Sequence, residues 1–378
     1  PRTVIRIRYY SPMRIALMTS VKGWRGSAAS YAKLALGLIH RGHAAHLIAG
    51  SERLAARYED EGLPVTLIPA RNTGPREVRA LSRVFRGLKA EAVVVDTPRD
   101  LRLSAWAALL QPAKIVYRYN LNYRPARSHL ADRLYLRRVS GFVFQSRFIQ
   151  DDALRQQPWI RRLTRFHIPN GYDTVRFSRS PEEGAAFRRD WDIPANALIV
   201  VTTAKLERNK GHEIAIEALS KLHGNGLELI YVICGDGSRD ATLRAFAARL
   251  GLPVRFTGLL DVDGLIAALS AADVVLHPSV QEIFPNSVGE AMSCACAVVA
   301  ADAGGTGELL GRDGRTGALV RPGDSEAMAG AVGELLQDPR RRANMGAMAR
   351  QRIQLEFGLE RMVTGYEAAL RQVAGARE

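Results

Sequence analysis

Short apolar runs that alternate with helical patterns constrain this chain more than any other feature. RIALMTS (14–20), AHLIAG (45–50), AVVVD (92–96), KIVYRY (114–119) and GFVFQS (141–146) form one series. ALIVVTTA (197–204), ELIYVICG (228–235), ADVVLHPS (272–279) and AVVAAD (297–302) form a second. Each run is strand-length and almost continuously apolar, the pattern of a strand buried on both faces. The segments between read as helices. In SYAKLALGLIHRGH (30–43), Leu34, Ala35, Leu38 and Ile39 make one stripe and Gly42 supplies a stop. Such alternation calls for α/β domains with parallel sheets covered by helices, and two series call for two Rossmann-like, doubly wound domains. The 378 residues also exceed one ordinary core. The polar, Pro/Gly-punctuated stretch PNGYDTVRFSRSPEEG (169–184) marks the boundary. The expected division is residues 1–170 and 171–355, with LERMVTGYEAALRQV (359–373) as a closing helix. Ligands of such sheets sit outside the carboxyl ends of the strands, so the cleft between two facing domains is the expected site.

The charge is unevenly placed. Of 53 Lys+Arg and 38 Asp+Glu, residues 1–170 hold 30 against 11, and the remainder 23 against 27. A basic half beside a mildly acidic one fits contact with an anionic surface on one side only. GPREVRALSRVFRGLK (74–89) puts Val78, Leu81, Phe85 and Leu88 on one helical face, with Arg76, Arg79, Arg83, Arg86 and Lys89 around the rest. YRPARSHLADRLYLRR (123–138) adds five arginines. These stretches read either as sheet-covering helices with a solvated charged face or as a dock for anionic lipid. No 18-residue apolar window occurs, so no membrane-spanning helix is expected, and PRTVIRIRYYSP (1–12) has no apolar core of a secretory signal and reads as an extension outside the fold. Cys234, Cys294 and Cys296 lack metal-ligand spacing and read as buried free thiols of a reducing cytoplasm.

The chemistry concentrates in EIFPNSVGEAM (282–292). After the strand ADVVLHPS, Glu282 falls on a loop at the sheet's carboxyl edge. Pro285 shapes that loop, Ser287 is placed to cap the next helix, and Glu290 projects from its first turns. Amides around Asn286, Ser287 and Val288 make an anion site. In TAKLERNKG (203–211), Lys205 and Lys210 lie on a loop entering a helix, where two cations neutralise a diphosphate leaving group. Asp261 and Asp263 in DVD mimic a metal-binding motif, but they precede a helix, where one or the other reads as the N-cap. GWRGSAAS does not fit G-x-G-x-x-G, which disfavours a nicotinamide enzyme.

Together these segments resemble the group-1, or family-four, retaining glycosyltransferases of the GT-B architecture, which use nucleotide-diphospho sugars. EIFPNSVGEAMSCA is similar to their E-G-F-P-N-…-E-A-M-A-C-G signature, and AVVAADAGGTGELL (297–310) and GALVRPGD (317–324) continue the match. AKLERNKG, ICGDGS (233–238), RFTGLL (255–260), IPNGYDTVRF (168–177) and WRGSAASYAKLALGLIHRGH (24–43) resemble further family motifs, so the likeness runs from about residue 13 to the final helix. It implies that Glu290 accepts from the donor's ribose hydroxyls and that Glu282 lies at the transferred sugar as the catalytic candidate. Lys205, Lys210 and the Ser287 and Val288 amides grip the diphosphate, with Phe284, Asn286, Gly235 and Gly258 around the donor. The Gly23–Gly26 loop approaches from the other domain. Residues 356–378 return to the first domain. The donor is a UDP- or GDP-sugar, no metal or other cofactor is needed, and the acceptor is a lipid-linked or cell-envelope glycan, of lipopolysaccharide type among others. That places the protein in the cytoplasm, peripheral on the inner membrane face. Acceptor-side candidates are Trp24, Arg25, Arg118, Tyr119, Asn120 and Arg124.

The sequence departs from the family at several points. Lys205 replaces an arginine, Ile283 a glycine, and Ala295 and Ala297 a glycine and a proline. Relatives also carry a histidine at the end of the fourth strand. IVYRYNLNYRPARSH, read as that stretch, has none there, since His129 lies ten residues on, so no histidine is carried over. Two rival readings remain. A nucleotide-sugar epimerase of the same architecture would interconvert the donor without an acceptor. A nucleic-acid-binding protein would leave the carboxylate pair unexplained and would need a stacking platform that the sequence lacks.

Overall fold

The computed structural model describes residues 11–21, 26–69, 73–119 and 135–375. The chain divides into two compact units. One comprises Pro1–Gln145, Gln150–Gly171 and Leu359–Glu378, the other Ser146–Ile149 and Tyr172–Gly358. Each is built on one wholly parallel sheet.

The first sheet holds β1 (Arg14–Thr19), β2 (Ala44–Ala49), β3 (Val65–Leu67), β4 (Ala92–Val95), β5 (Lys114–Arg118), β6 (Val139–Phe144) and β7 (Arg165–His167), in the order β3-β2-β1-β4-β5-β6-β7. The second holds β8 (Leu198–Thr203), β9 (Leu229–Cys234), β10 (Val254–Gly258), β11 (Val274–His277), β12 (Ala297–Ala301) and β13 (Ala318–Val320), in the order β10-β9-β8-β11-β12-β13. The nine apolar runs are the inner strands of the two sheets. The four strands that the apolar pattern did not reveal, β3, β7, β10 and β13, are the sheet edges. Their residues are mostly half-buried, so they carry no continuous apolar run.

One correction follows from β3. With Val65–Leu67 in place, KIVYRY is the fifth strand, not the fourth. The fourth is Ala92–Val95, and the residue that leaves it is Asp96.

Strand periodicity sorts the second unit's core. Ile199, Val201, Val232, Val275 and Val298 face one layer with helices Val262–Ala271, Asn286–Ser293 and Pro339–Glu356. The alternate residues Val200, Tyr231, Ile233, Val274 and Val299 face the other layer with helices His212–Gly224, Asp240–Arg249 and Ser325–Gln337. In the first unit, Ile15, Leu17, Val94 and Val116 pack with Tyr31, Leu34 and Leu38 of helix Gly26–His40 and with Met362, Val363, Tyr366 and Leu370 of helix Leu359–Ala374. Helices Gly26–His40 and Leu359–Ala374 meet at Gly37, where a Cβ would overlap Val363. Arg41 adds bonds from Nη1 to Glu367 at 2.9 Å and from Nη2 to Glu360 at 2.6 Å. Helix Pro75–Leu88 buries Leu81 and Phe85, while Arg76, Arg79, Arg83, Arg86 and Lys89 are exposed. Its apolar face is therefore spent on the core, and only its charge is left for an outside partner.

Two stability outcomes are expected. Leu370→Ala, at a fully buried position, should cost about 2–5 kcal/mol in denaturant unfolding. Ala295 holds φ +54°, where L side chains are strained and where the family resemblance places glycine. Ala295→Gly should therefore raise stability by up to about 1 kcal/mol, and a loss would contradict that strain.

Candidate active site

In the second sheet the strand order reverses between β8 and β11, and the crevice outside their carboxyl ends is the place where such sheets bind ligands. Thr203 ends β8 and His277 ends β11. The chain leaves β8 through Lys205, makes a tight 3-10 turn at Arg208–Lys210, and enters helix His212–Gly224. Gly211, at φ +68°, sits against the loop that leaves β11, and a Cβ there would overlap the Pro278 carbonyl oxygen. Val280 N donates to Asn209 O at 3.0 Å, tying the two loops together. The close approach delivers Lys210 to Glu282, with Nζ donating to Oε1 at 2.6 Å.

Glu282 is largely buried. Burial alone would raise its pKa, but the His277 imidazole and the Lys210 ammonium outweigh that and hold it at about 2. His277 Nε2 stands 3.3 Å from the same oxygen, without hydrogen-bond alignment. Its Nδ1 lies 3.3 Å from Ser287 Oγ. His277 thus sits between the first carboxylate and the helix that follows it. Sequence reasoning passed over it, although a histidine ending the apolar run ADVVL was visible. The loop itself is clamped from behind by AGGTGELL. Gly304, at φ +58°, sits where a Cβ would overlap the Glu282 carbonyl oxygen, and Gly305 N donates to Ile283 O at 3.1 Å.

Helix Asn286–Ser293 begins two residues earlier than a Ser287 cap requires. Pro285 holds the cap position and makes no side-chain bond. Ser287 therefore lies inside the first turn, its hydroxyl toward His277. The Asn286, Ser287 and Val288 amides are the first of the helix, and Gly289 N already donates to Pro285 O at 3.3 Å. Tyr172 supports this end, its ring filling the space that a Gly289 side chain would need and its hydroxyl donating to Pro285 O at 3.4 Å. Glu290 is half-buried on this helix. Phe284 was expected around the donor. It is buried against Phe357, with ring centroids 5.7 Å apart, and anchors the loop.

The other sequence-derived candidates are placed as follows. Lys205 is exposed, and its carbonyl lies 3.0 Å from His212 Nε2. Gly235 N donates to Gly258 O at 2.8 Å, joining the ends of β9 and β10. Gly26 opens helix Gly26–His40. Arg118 and Tyr119, the described acceptor-side candidates, are both buried. Gly23, Trp24, Arg25, Asn120 and Arg124 lie outside the described residues. Asp261 caps helix Val262–Ala271, accepting from Gly264 N at 2.8 Å, and Asp263 accepts from Arg176 Nη2 at 2.7 Å. The three cysteines are buried and free, and burial pushes the Cys234 and Cys296 thiols up to about 12. Among the described residues no cluster of His, Cys, Asp and Glu has the geometry to hold a metal ion.

Comparison with known proteins places the chain in a family. The family model "Glycosyl transferases group 1" matches residues 185–352, and "Glycosyltransferase Family 4" matches residues 24–176. A GDP-mannose-dependent monoacylated alpha-(1-6)-phosphatidylinositol monomannoside mannosyltransferase of Corynebacterium glutamicum is 27% identical over 299 residues, 76% of this chain and 78% of that protein. The GDP-mannose-dependent alpha-(1-6)-phosphatidylinositol monomannoside mannosyltransferase of Mycolicibacterium smegmatis is 34% identical over 193 residues, 49% of this chain and 50% of its own length. The crystal structure of Anabaena Alr3699/HepE in complex with UDP superposes with a TM-score of 0.83 at 22% identity, covering 95% of this chain and 100% of that one. The two sheets are thus the two Rossmann-like domains of the GT-B architecture, and the chain belongs to the group-1, family-four glycosyltransferases.

Proposed function

We propose that the protein transfers a hexose from a nucleoside diphosphate sugar, with retention at the anomeric carbon, to a hydroxyl of a lipid-linked or envelope glycan. The observation that carries this reading is the Lys210–Glu282 pair at the switch point of the second sheet, next to the start of helix Asn286–Ser293. Lys205 and Lys210, with the first amides of that helix, neutralise the diphosphate as it leaves, a task they perform without a metal ion. Glu290 accepts from the ribose hydroxyls. Glu282, kept ionised by Lys210, accepts from hydroxyls of the transferred sugar. The mannosyltransferase relatives favour GDP-mannose as the donor and a phosphoinositol-type glycolipid as the acceptor.

The basic helix Pro75–Leu88 extends this reading to the membrane. Its apolar face is buried, so contact with anionic lipid is electrostatic and screened by salt. No described helix is long and apolar enough to cross a membrane. Binding to phosphatidylglycerol vesicles that falls steeply with added salt is the expected result, and salt-independent or absent binding would remove the membrane from the proposal.

The donor site is tested by thermal shift with GDP, UDP, GDP-mannose and UDP-glucose. A ligand at 100 times its Kd should stabilise the fold by about 2.7 kcal/mol, and Lys210→Ala and Glu290→Ala should abolish that shift. No shift with any of the four would sink the transferase reading.

A pH test isolates the buried pair. Because Glu282 has a depressed pKa, its contribution to stability is full above the ordinary carboxylate range and fades as pH falls toward about 2. Lys210→Met removes one of the two groups that hold it down, so the acid limb of the stability curve should move to higher pH. An unmoved limb would show that Lys210 does not set the charge of Glu282.

A further inference from the structure

His277 is a buried group of the second unit to which the donor chemistry above gives no task. It ends β11 at 3% exposure, with one ring nitrogen toward each half of the site. Nε2 faces Glu282 Oε1 at 3.3 Å, and Nδ1 faces Ser287 Oγ at 3.3 Å. The same Glu282 oxygen accepts from Lys210 Nζ at 2.6 Å. The strands beside His277 bring no charge to it, since Ala300 pairs in register with it and β8 ends in Thr203. A further titratable neighbour is His212, which opens the helix after Lys210. Its Nε2 lies 3.0 Å from the Lys205 carbonyl, which only accepts, so that nitrogen carries the hydrogen. Burial pulls the His212 pKa down, and Glu282 is held at about 2. Among the described groups that meet here, His277 is therefore the one left to change charge between about pH 6 and about pH 8.

The hydrogen positions follow from the partners. A carboxylate only accepts, so neutral His277 keeps its hydrogen on Nε2, toward Glu282. Nδ1 then offers a lone pair, and the Ser287 hydroxyl donates to it. Ser287 lies in the first turn of helix Asn286–Ser293, where its amide and those of Asn286 and Val288 come before the first internal bond of the helix. In this state an anion at the helix start meets amides, while the hydroxyl hydrogen is committed to the imidazole. Protonated His277 carries a hydrogen on both nitrogens. Nδ1 then donates to Ser287 Oγ, and the hydroxyl hydrogen is released toward the helix start. The imidazolium also adds a positive charge beside the amides. One proton thus adds both a donor and a charge to the anion site.

We infer that His277 is a positioning residue for the donor: it takes up a proton as the diphosphate binds and, through Nδ1, turns the Ser287 hydroxyl from the imidazole to a phosphate oxygen. The proton comes from solvent and returns to it when the nucleotide leaves. The inference rests on the nucleotide-sugar reading of this site.

The test is calorimetric titration of the full chain with GDP-mannose and with UDP-glucose. A diphosphate esterified at both ends keeps its charge across the neutral range, so the ligand adds no phosphate titration of its own. Binding of at least one should tighten by about fivefold or more from about pH 8 to about pH 6, against a ceiling of about tenfold per pH unit for one proton. At neutral pH the binding heat should be more endothermic in Tris than in PIPES, because the buffer supplies the proton. His277→Asn should flatten the pH profile and erase the buffer difference. Ser287→Ala should cost more affinity at the acid end than at the alkaline end, a pattern that a merely structural hydroxyl would not give, and it decides if His277→Asn fails to fold. A flat profile in the unmodified protein, a slope that survives in folded His277→Asn, or an equal Ser287→Ala cost at both ends would overturn the inference and leave the transferase reading standing. No binding of either sugar nucleotide at any pH would overturn the transferase reading, and the inference with it.

Discussion

A parallel sheet buried on both faces leaves its chain little room for chemistry, and the rest of this structure follows from that constraint. Every inner strand is lined by apolar side chains on both sides, so no polar group is tolerated along its length without a partner. Functional groups are confined to the strand ends and to the loops that leave them. In both sheets buried polar groups gather where the strand order reverses: Thr19 and Asp96 in the first, His277 in the second.

Within the second unit, much of the loop architecture serves one ion pair. Lys210 and Glu282 are 72 residues apart and reach each other because Gly211 permits backbone contact at Pro278, Val280 bonds to Asn209, and Gly304 and Gly305 close over the Glu282 backbone. A largely buried carboxylate would ordinarily be driven toward its neutral form. Here a cation and an imidazole reverse that tendency, and the group stays charged across the physiological range. The first unit shows the opposite case. Asp96 is near neutrality because its cation, Arg118, does not offset burial and the Asp100 charge. Two carboxylates, one leaving β4 and the other on the loop after β11, thus acquire opposite electrostatic character from what surrounds them.

Much of the fold was legible in the sequence, and what escaped did so for a physical reason. The inner strands announced themselves because double burial demands unbroken apolar runs. The edge strands β3, β7, β10 and β13 did not, because an edge is only half-covered and its composition is not restricted in that way. Missing β3 shifted the strand count and hid Asp96 behind Tyr119 and Asn120. The Ser287 cap failed for a related reason. Capping residues are recognised by type, but Pro285 started the helix first and left the serine hydroxyl to His277.

The sequence by itself determined that this chain builds two helix-covered parallel sheets, and that Lys205, Lys210, Glu282 and Glu290 stand on the loop and helix after two of their strands. Local periodicity, and the confinement of polar residues to strand ends, are properties of neighbouring residues and need no tertiary knowledge. Only the tertiary structure decided which of these groups meet. It paired Lys210 with Glu282, inserted His277 between Glu282 and Ser287, and buried Phe284 and Arg118. Those outcomes depend on strand order and on close backbone approaches between segments distant in the chain, which no local pattern encodes.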